Sequence, residues 1–441
     1  MTDIKFGVGC STNWDPKVAG VEATVKALEQ VNYKPKFLLV FCTIHYAKEK
    51  DGLQKLLTGC RSLVENDIPS IGGTVTGFIC PEGCHTRGVV VVAGSGSNIN
   101  VITKSRQNIR KNPKLCGESL GKDIAGKFIG NQGVIMEFMS GPIEPTVMTT
   151  EIGRKVSNRI PYRLLSVIRT ILAEVATKYL NTGPAREEDI LWGMSKYLKD
   201  YYFIGCATFD NMKCYEAYQF IDSTVLNGSI SVIGLSFGDK VKLRLNRKIP
   251  LVATGKTVEV KTGWGEICID KINGNPAVSE YIREMGWPEE YVQTHIEDIS
   301  KKTWHYPLAF REDDWIYAFP AGLFFGEIIA MNRRVRRNTL ELFLTSAKRT
   351  IDDFNELLIS PENEEIKFML VIAGMDILEI LGSKINIMKD LLDEKLNNQG
   401  YLVLLGAGEY SKKPDEKAIM SNYSIVSLSI TEGQLNRERG S

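Results

Sequence analysis

Apolar residues in this chain fall into two rhythms. Short continuous runs predict buried strands, and three- and four-residue spacings between them predict helices. Ile4-Lys-Phe-Gly-Val-Gly-Cys10 opens as a strand. Asp15-Pro16 then supplies an N-cap and a first-turn proline for a helix with Val18, Val21, Val25 and Leu28 on one face. Phe37-Leu-Leu-Val-Phe-Cys42 reads as a strand covered on both sides. A helix from Asp51 turns Leu53, Leu56, Leu57, Cys60 and Val64 inward. Residues 95–130 are polar and irregular, with the look of inserted material. Gly133-Val-Ile-Met-Glu-Phe-Met139 resumes the buried-strand pattern, and amphipathic helices are expected over Pro161–Tyr179 and near 187–199.

Alternation at Val241, Leu243 and Leu245, at Val258 and Val260, and at Ile267 and Ile269 predicts antiparallel strands from Lys240 to Ile272. Asn273-Gly274 is a strong turn signal, and a helix opens at Pro276. The domain boundary is therefore expected there, giving units 1–273 and 274–441. Trp315–Phe319 and Gly326–Ala330 read as strands, and Leu340, Leu342 and Leu344 alternate before a helix from about Thr345. Phe368–Ala373 is again a buried strand, and Ile377, Leu381, Ile385, Met388 and Leu392 step helically after it.

One arrangement occurs three times: a strand enters a glycine turn and is answered by a second apolar strand. The copies are Ile68-Pro-Ser-Ile-Gly-Gly-Thr-Val-Thr with Gly88–Ala93, Tyr202-Phe-Ile-Gly-Cys-Ala-Thr-Phe-Asp with Ser229–Leu235, and Tyr401-Leu-Val-Leu-Leu-Gly-Ala-Gly-Glu with Tyr423–Ile430. The expected fold is α/β: two related mixed-sheet halves with packed helices, built from repeated strand-helix-strand-strand units.

Composition narrows the function class. Lys+Arg 54 against Asp+Glu 53 gives no basic stripe for nucleic acid, and the cluster Arg333, Arg334, Arg336 and Arg337 reads as a solvated edge or turn. No apolar run is long enough to insert in a membrane, and Met1-Thr-Asp-Ile-Lys lacks the apolar core of a signal peptide. Nine cysteines, sparse and odd in number, suit a reducing compartment, so a cytoplasmic location is expected.

The ordered series of segments resembles the FIST domain family. It starts at Gly7-Val-Gly-Cys-Ser11 and Phe37–Phe41. It runs through Ile71-Gly-Gly-Thr-Val-Thr-Gly77 with Val89–Val92, and Gly205-Cys-Ala-Thr-Phe-Asp210 with Ile230–Ile233. It passes Asp270-Lys-Ile-Asn-Gly-Asn-Pro-Ala277 with Tyr281, and closes at Gly400–Glu409 with Ser421-Asn-Tyr-Ser424. The resemblance covers nearly the whole chain and implies a FIST N-like and a FIST C-like part. The implied function is a small-ligand sensor in signal transduction, possible ligands being amino acids, with a downstream signalling partner and no catalysis. Members often carry a Ser-Cys-x-Gly-Arg-like stretch where this chain has Ala373-Gly-Met-Asp376, so a thiol or arginine role is lost at that place.

Read from the residues, the first turn (Gly72, Gly73, Thr74, with Thr76) offers N–H and hydroxyl donors to an anion. The second (Gly205, Thr208, Asp210) and third (Gly408, Glu409, with Asn422) add carboxylates suited to an ammonium group. The plain alternatives are tight strand packing and turn caps. A ligand binding all three turns would be a small zwitterion. Cys80-Pro-Glu-Gly-Cys84-His85 could hold zinc with His45 or Glu82 as a fourth ligand, against the plainer reading of a loop with incidental thiols. No cofactor is expected. Two alternatives stand beside the sensor: an F-box-associated interaction module, and a thiol-dependent enzyme using Cys10 with His45 or His85. An F-box-like helical segment, the usual companion of that role, is not expected before the FIST-like region, and no G-x-S-x-G, H-E-x-x-H or P-loop motif is present.

Overall fold

The computed structural model describes residues 4–127, 133–143, 181–183, 186–211, 214–263, 266, 268–288, 302–320, 323–325, 327–331, 333–358, 364–397 and 399–433. The helix expected over 161–179 lies outside them, as do Ile267 and Gly326. The mixed α/β class is as expected. Three six-stranded sheets share one connectivity. The first runs β1 (Lys5–Ser11), β6 (Val89–Ser95), β2 (Phe37–Thr43), β3 (Ser70–Val75), β10 (Tyr218–Ile221) and β11 (Thr224–Asn227). The second runs β7 (Ile99–Gln107), β12 (Ser229–Phe237), β8 (Gly133–Ser140), β9 (Tyr202–Thr208), β24 (Glu409–Lys412) and β25 (Ile419–Ser421). The third runs β13 (Val241–Lys248), β26 (Ile425–Gly433), β22 (Glu364–Gly374), β23 (Gly400–Gly406), β4 (Gly77–Cys80) and β5 (Gly83–His85).

In each sheet the central pair is parallel (β2 with β3, β8 with β9, β22 with β23) and its other neighbours are antiparallel. Each pair is a strand-helix-strand crossover within one stretch of chain. The hairpin that follows is then donated to a neighbouring sheet. β4–β5 joins β23, β10–β11 joins β3, and β24–β25 joins β9. The pairing pattern thus recurs three times and closes on itself, in step with the three glycine turns; the expected division into two related halves is not what the sheets show. The stretch 95–130 is not inserted material: β7 and helix α3 (Pro113–Ala125) open the second repeat as β1 and α1 (Pro16–Gln30) open the first. The genuine insertion is in the third repeat. There β14 (Val252–Thr262), β15 (Cys268–Ile272), β16 (Asn275–Pro276), β17 (Leu308–Glu312), β18 (Trp315–Phe319), β19 (Leu323–Phe325), β20 (Ile328–Ala330) and β21 (Thr339–Leu344) form a fourth sheet. The Asn273-Gly274 turn falls inside it, between β15 and β16.

The central strands of each of the three sheets are buried on both faces, which is why they read as unbroken apolar runs. The inner faces meet in one core: Phe6, Phe41 and Ile71 from the first sheet, Met136, Phe138 and Ile204 from the second, Leu370, Leu404 and Leu428 from the third. The outer faces are covered by helices. α1 and α2 (Gly52–Arg61) cover the first sheet, α3 and α4 (Glu187–Ser195) the second, and α6 (Ala347–Leu357), α7 (Met375–Leu381) and α8 (Asn386–Leu396) the third; α5 (Ala277–Glu284) packs on the inserted sheet.

Asp15 caps α1 as expected, accepting from the Val18 N–H at 3.0 Å. The buried face of that helix is Ala19, Ala23, Ala27 and Leu28, not the valine face; Val18 is exposed. Small residues win because the helix lies almost against the backbone of its neighbours. A Cβ on Gly9 would sit 2.4 Å from the Ala23 carbonyl oxygen, and one on Gly20 would sit 2.4 Å from that of Leu56.

Candidate functional site at the third turn

The three glycine turns do converge. Thr76 N–H donates to the Leu405 carbonyl (3.0 Å), Phe209 N–H to Thr74 (2.9 Å) and Ala407 N–H to Ala207 (3.1 Å). These bonds join the exits of β3, β9 and β23 in a closed ring of three equivalent contacts. The turns are otherwise unlike one another.

Gly72 and Gly73 lie inside β3, paired on both sides, where a Cβ on Gly72 would fall 1.7 Å from the Val40 carbonyl. Gly205 holds the same place beside Glu137, at 1.9 Å. Glycine there serves close strand approach. Thr74 Oγ1 accepts from the Tyr218 N–H, and Thr208 Oγ1 donates to the Met139 carbonyl while accepting from Gln219. The Asp210 carboxylate accepts from the N–H groups of Cys214, Tyr215 and Glu216 (2.8–3.1 Å), capping its own loop.

The third turn is different. Glu409 is fully buried at the start of β24; its Oε2 accepts from the Ser424 N–H (3.2 Å) and hydroxyl (2.8 Å), while Oε1 has no hydrogen-bond partner among the described residues. Asp376, in the first turn of α7, approaches from the end of β22. Its Oδ1 accepts from the Ile377 N–H (2.7 Å) and its Oδ2 from the Tyr423 N–H (2.6 Å). Gly374 makes room for both acids: a Cβ there would sit 2.2 Å from Asp376 Oδ1 and 2.3 Å from Glu409 Oε1. Burial raises both carboxyls above the usual range, and the Asp376 charge pushes Glu409 further. Asp376, held by two backbone N–H groups, is the better anion of the two, so Glu409 holds the proton.

Around this pair, Asn422 is buried with its amide directed at the Ala318 carbonyl (3.4 Å). Tyr423 takes a left-handed backbone at φ 61°, a strained conformation for a bulky residue. The Tyr423 hydroxyl is buried without a partner among the described residues. Asp376 is not among the site residues expected from sequence, although it ends the Ala373-Gly-Met-Asp376 stretch; its only sequence signal is an acid two residues past the glycine that ends a buried strand.

Two further polar groups lie on the outer face of the second sheet. Glu137 is fully buried with neither carboxyl oxygen partnered among the described residues, and burial pushes it well up. Arg110, also buried, donates to the Asn181 and Gly141 carbonyls and to Ser140 Oγ, and burial lowers it to about 10. Arg333 is a correction to the expected solvated cluster. It is nine-tenths buried, paired with Glu188, and lies over the Tyr317 ring. Arg336 and Arg337 pair with Glu266 and Glu312 at the surface.

The metal-type residues meet in a different set from the one expected. Cys80 and His85 come together with Cys10, not Cys84; the three ligand atoms lie within 4.8 Å of one another. In the β4–β5 hairpin Cys80 pairs with Gly83 and Cys84 with Ile79, so Cys84 points to the opposite face of the sheet. His45 bonds Thr43 Oγ1 at 2.6 Å and is pushed down to about 4 by burial and Arg87. Between the two thiols, a shared hydrogen bond raises Cys10 and lowers Cys80, and burial raises both.

Among the described residues no helix is long and apolar enough to cross a membrane. No curated protein matches this chain. Among solved structures, the crystal structure of cyanuric acid hydrolase from A. caulinodans aligns over 98% of this chain and 100% of its own, at 7% identity and a TM-score of 0.34, too distant to carry an argument. The family model described as FIST N domain matches residues 36–275, more than half of the chain. The chain belongs to the FIST N domain family, whose domains are sensory modules of signal transduction.

Proposed function

We propose that this protein is a cytoplasmic sensor for a small amine-bearing ligand, an amino acid or similar zwitterion, and that the ligand's ammonium group is received by Glu409 and Asp376. One observation carries the reading: a fully buried carboxyl oxygen, Glu409 Oε1, has no partner among the described residues and faces the same space as a second carboxyl. A bound ammonium would satisfy the free oxygen and, beside two carboxylates, take the place of the proton that Glu409 otherwise holds. Asn422 and the Gly408 backbone stand beside the pair to fix the rest of the ligand. Both acids are buried, and the Tyr423 and Ser424 groups of the Asn422–Ser424 turn bond them, so we take lifting of that turn as the ligand's entry. That gives the protein two states for a ligand to choose between, and a downstream signalling protein would read the difference. The role is binding rather than catalysis.

The test is a thermal-shift screen of the purified protein against the twenty amino acids and simple alkylamines, repeated with Glu409→Gln and Asp376→Asn. A shift with at least one amine that both variants abolish supports the reading. No shift with any of them, or an unchanged shift in both variants, refutes it.

A further inference from the structure

We propose that Cys10, Cys80 and His85 form a site for a soft divalent metal ion, zinc in the first place, with two thiolates, one imidazole and a fourth position open to solvent or to an incoming ligand. It stands independently of the reading at the third turn.

The geometry carries it. At a tetrahedral zinc ion the ligand atoms stand roughly 3.6 Å apart for sulfur to nitrogen and roughly 3.8 Å for sulfur to sulfur. Cys10 Sγ lies 3.5 Å from His85 Nε2, and all three atoms lie within 4.8 Å of one another. The hairpin register puts Cys80 and His85 on one face, and β1 brings Cys10 to meet them from the first sheet. Gly83, paired with Cys80, leaves the imidazole its place: a Cβ there would sit 2.9 Å from His85 Nε2.

The surroundings hold the ligands. The Cys10 N–H donates to Glu82 Oε1 (2.9 Å), and Lys26 Nζ donates both to Glu82 Oε2 (2.5 Å) and to the Cys10 carbonyl (2.9 Å). Both cysteines are buried, while His85 is half-buried and leaves a side open to solvent.

Charge is balanced too. Two thiolates and one divalent ion sum to zero, so the filled site needs no counter-ion in its buried part. Binding to the two thiols releases two protons. The ion would bridge β1 to a hairpin that the first repeat donates to the third sheet, so occupancy would fasten a seam between sheets.

The experiment uses the full chain, reduced and stripped of metal with a chelator, titrated with cobalt(II) as the spectroscopic probe and then with zinc(II). Expected are one ion per chain, a thiolate-to-cobalt charge-transfer band that zinc bleaches, and proton release in weak buffer. Cys80→Ser should abolish the band, His85→Gln should weaken binding at least tenfold, and Cys84→Ser should change neither. His85→Gln alters a half-buried side chain and so remains informative if Cys80→Ser fails to fold. The proposal is overturned if the reduced wild-type chain gives no charge-transfer band. It is equally overturned if His85→Gln binds as tightly as wild type, or if Cys84→Ser loses the band.

Discussion

Glu409→Gln should stabilise the protein, and increasingly so as the pH rises. Glu409 is fully buried and its carboxyl is raised well above the usual glutamate range by burial and by Asp376. The unfolded chain ionises this side chain near the usual glutamate range, whereas the folded chain keeps it protonated. Below that range both states are protonated and the acid costs nothing. Above it the unfolded state gains by ionising and the folded state does not, so stability falls with pH by up to about 1.4 kcal/mol per unit until the folded carboxyl titrates. From pH 5 to 7 a single proton sets the ceiling of that fall at about 2.7 kcal/mol. Glutamine removes the dependence with little change of shape. Its carbonyl can still accept from the Ser424 N–H and hydroxyl, and its amide brings no ionisable group into the buried site. Other raised acids, Glu137 and Glu187 among them, are present in both proteins and cancel in the comparison. The assay is urea unfolding of both proteins at pH 5, 6 and 7. Two parallel lines of stability against pH would refute the assignment of a protonated, unpaired Glu409.

The remaining expectations concern packing and loop order. Gly205→Ala should destabilise by about 3 kcal/mol, because its Cβ would meet the Glu137 carbonyl at 1.9 Å. Gly274→Ala, with open space but φ 81°, should cost only about 1 kcal/mol in urea midpoints. Asp210→Ala should cost about 2 kcal/mol and speed hydrogen exchange at the Cys214, Tyr215 and Glu216 amides; unchanged exchange there would show that the cap does not order the loop. Arg110→Lys should cost about 2 kcal/mol, since one ammonium cannot reach Asn181, Ser140 and Gly141 together, and a midpoint within error of wild type would contradict that role.

What the chain determined by itself is its local structure. The unbroken run Phe37–Cys42 made a strand buried on both faces, Asp15 capped α1, Asn273-Gly274 made a turn, and the alternation at 340–344 gave way to a helix just after Thr345. Hydrophobic period and capping chemistry act within a few residues, so they can be read along the sequence. The threefold recurrence was legible too, in the glycine turns, because close approach of parallel neighbours demands glycine in β3 and β9.

Tertiary structure decided which strands pair and which side chains meet. Nothing local says that β4 joins β23, or that Cys80 and His85 find Cys10 instead of Cys84, since hydrogen-bonding edges are alike and partners lie far apart in sequence. The buried face of α1 went to alanines because neighbouring backbones came too close for valine. Asp210 and Glu409 looked alike as acids leaving glycine turns. Folding gave the first three N–H partners from its own loop, and left an oxygen of the second unpartnered among the described residues beside Asp376. Sequence determines what a carboxyl group can do; only the enclosing structure, by what it brings near and what water it shuts out, decides whether its oxygens are satisfied or left without a partner.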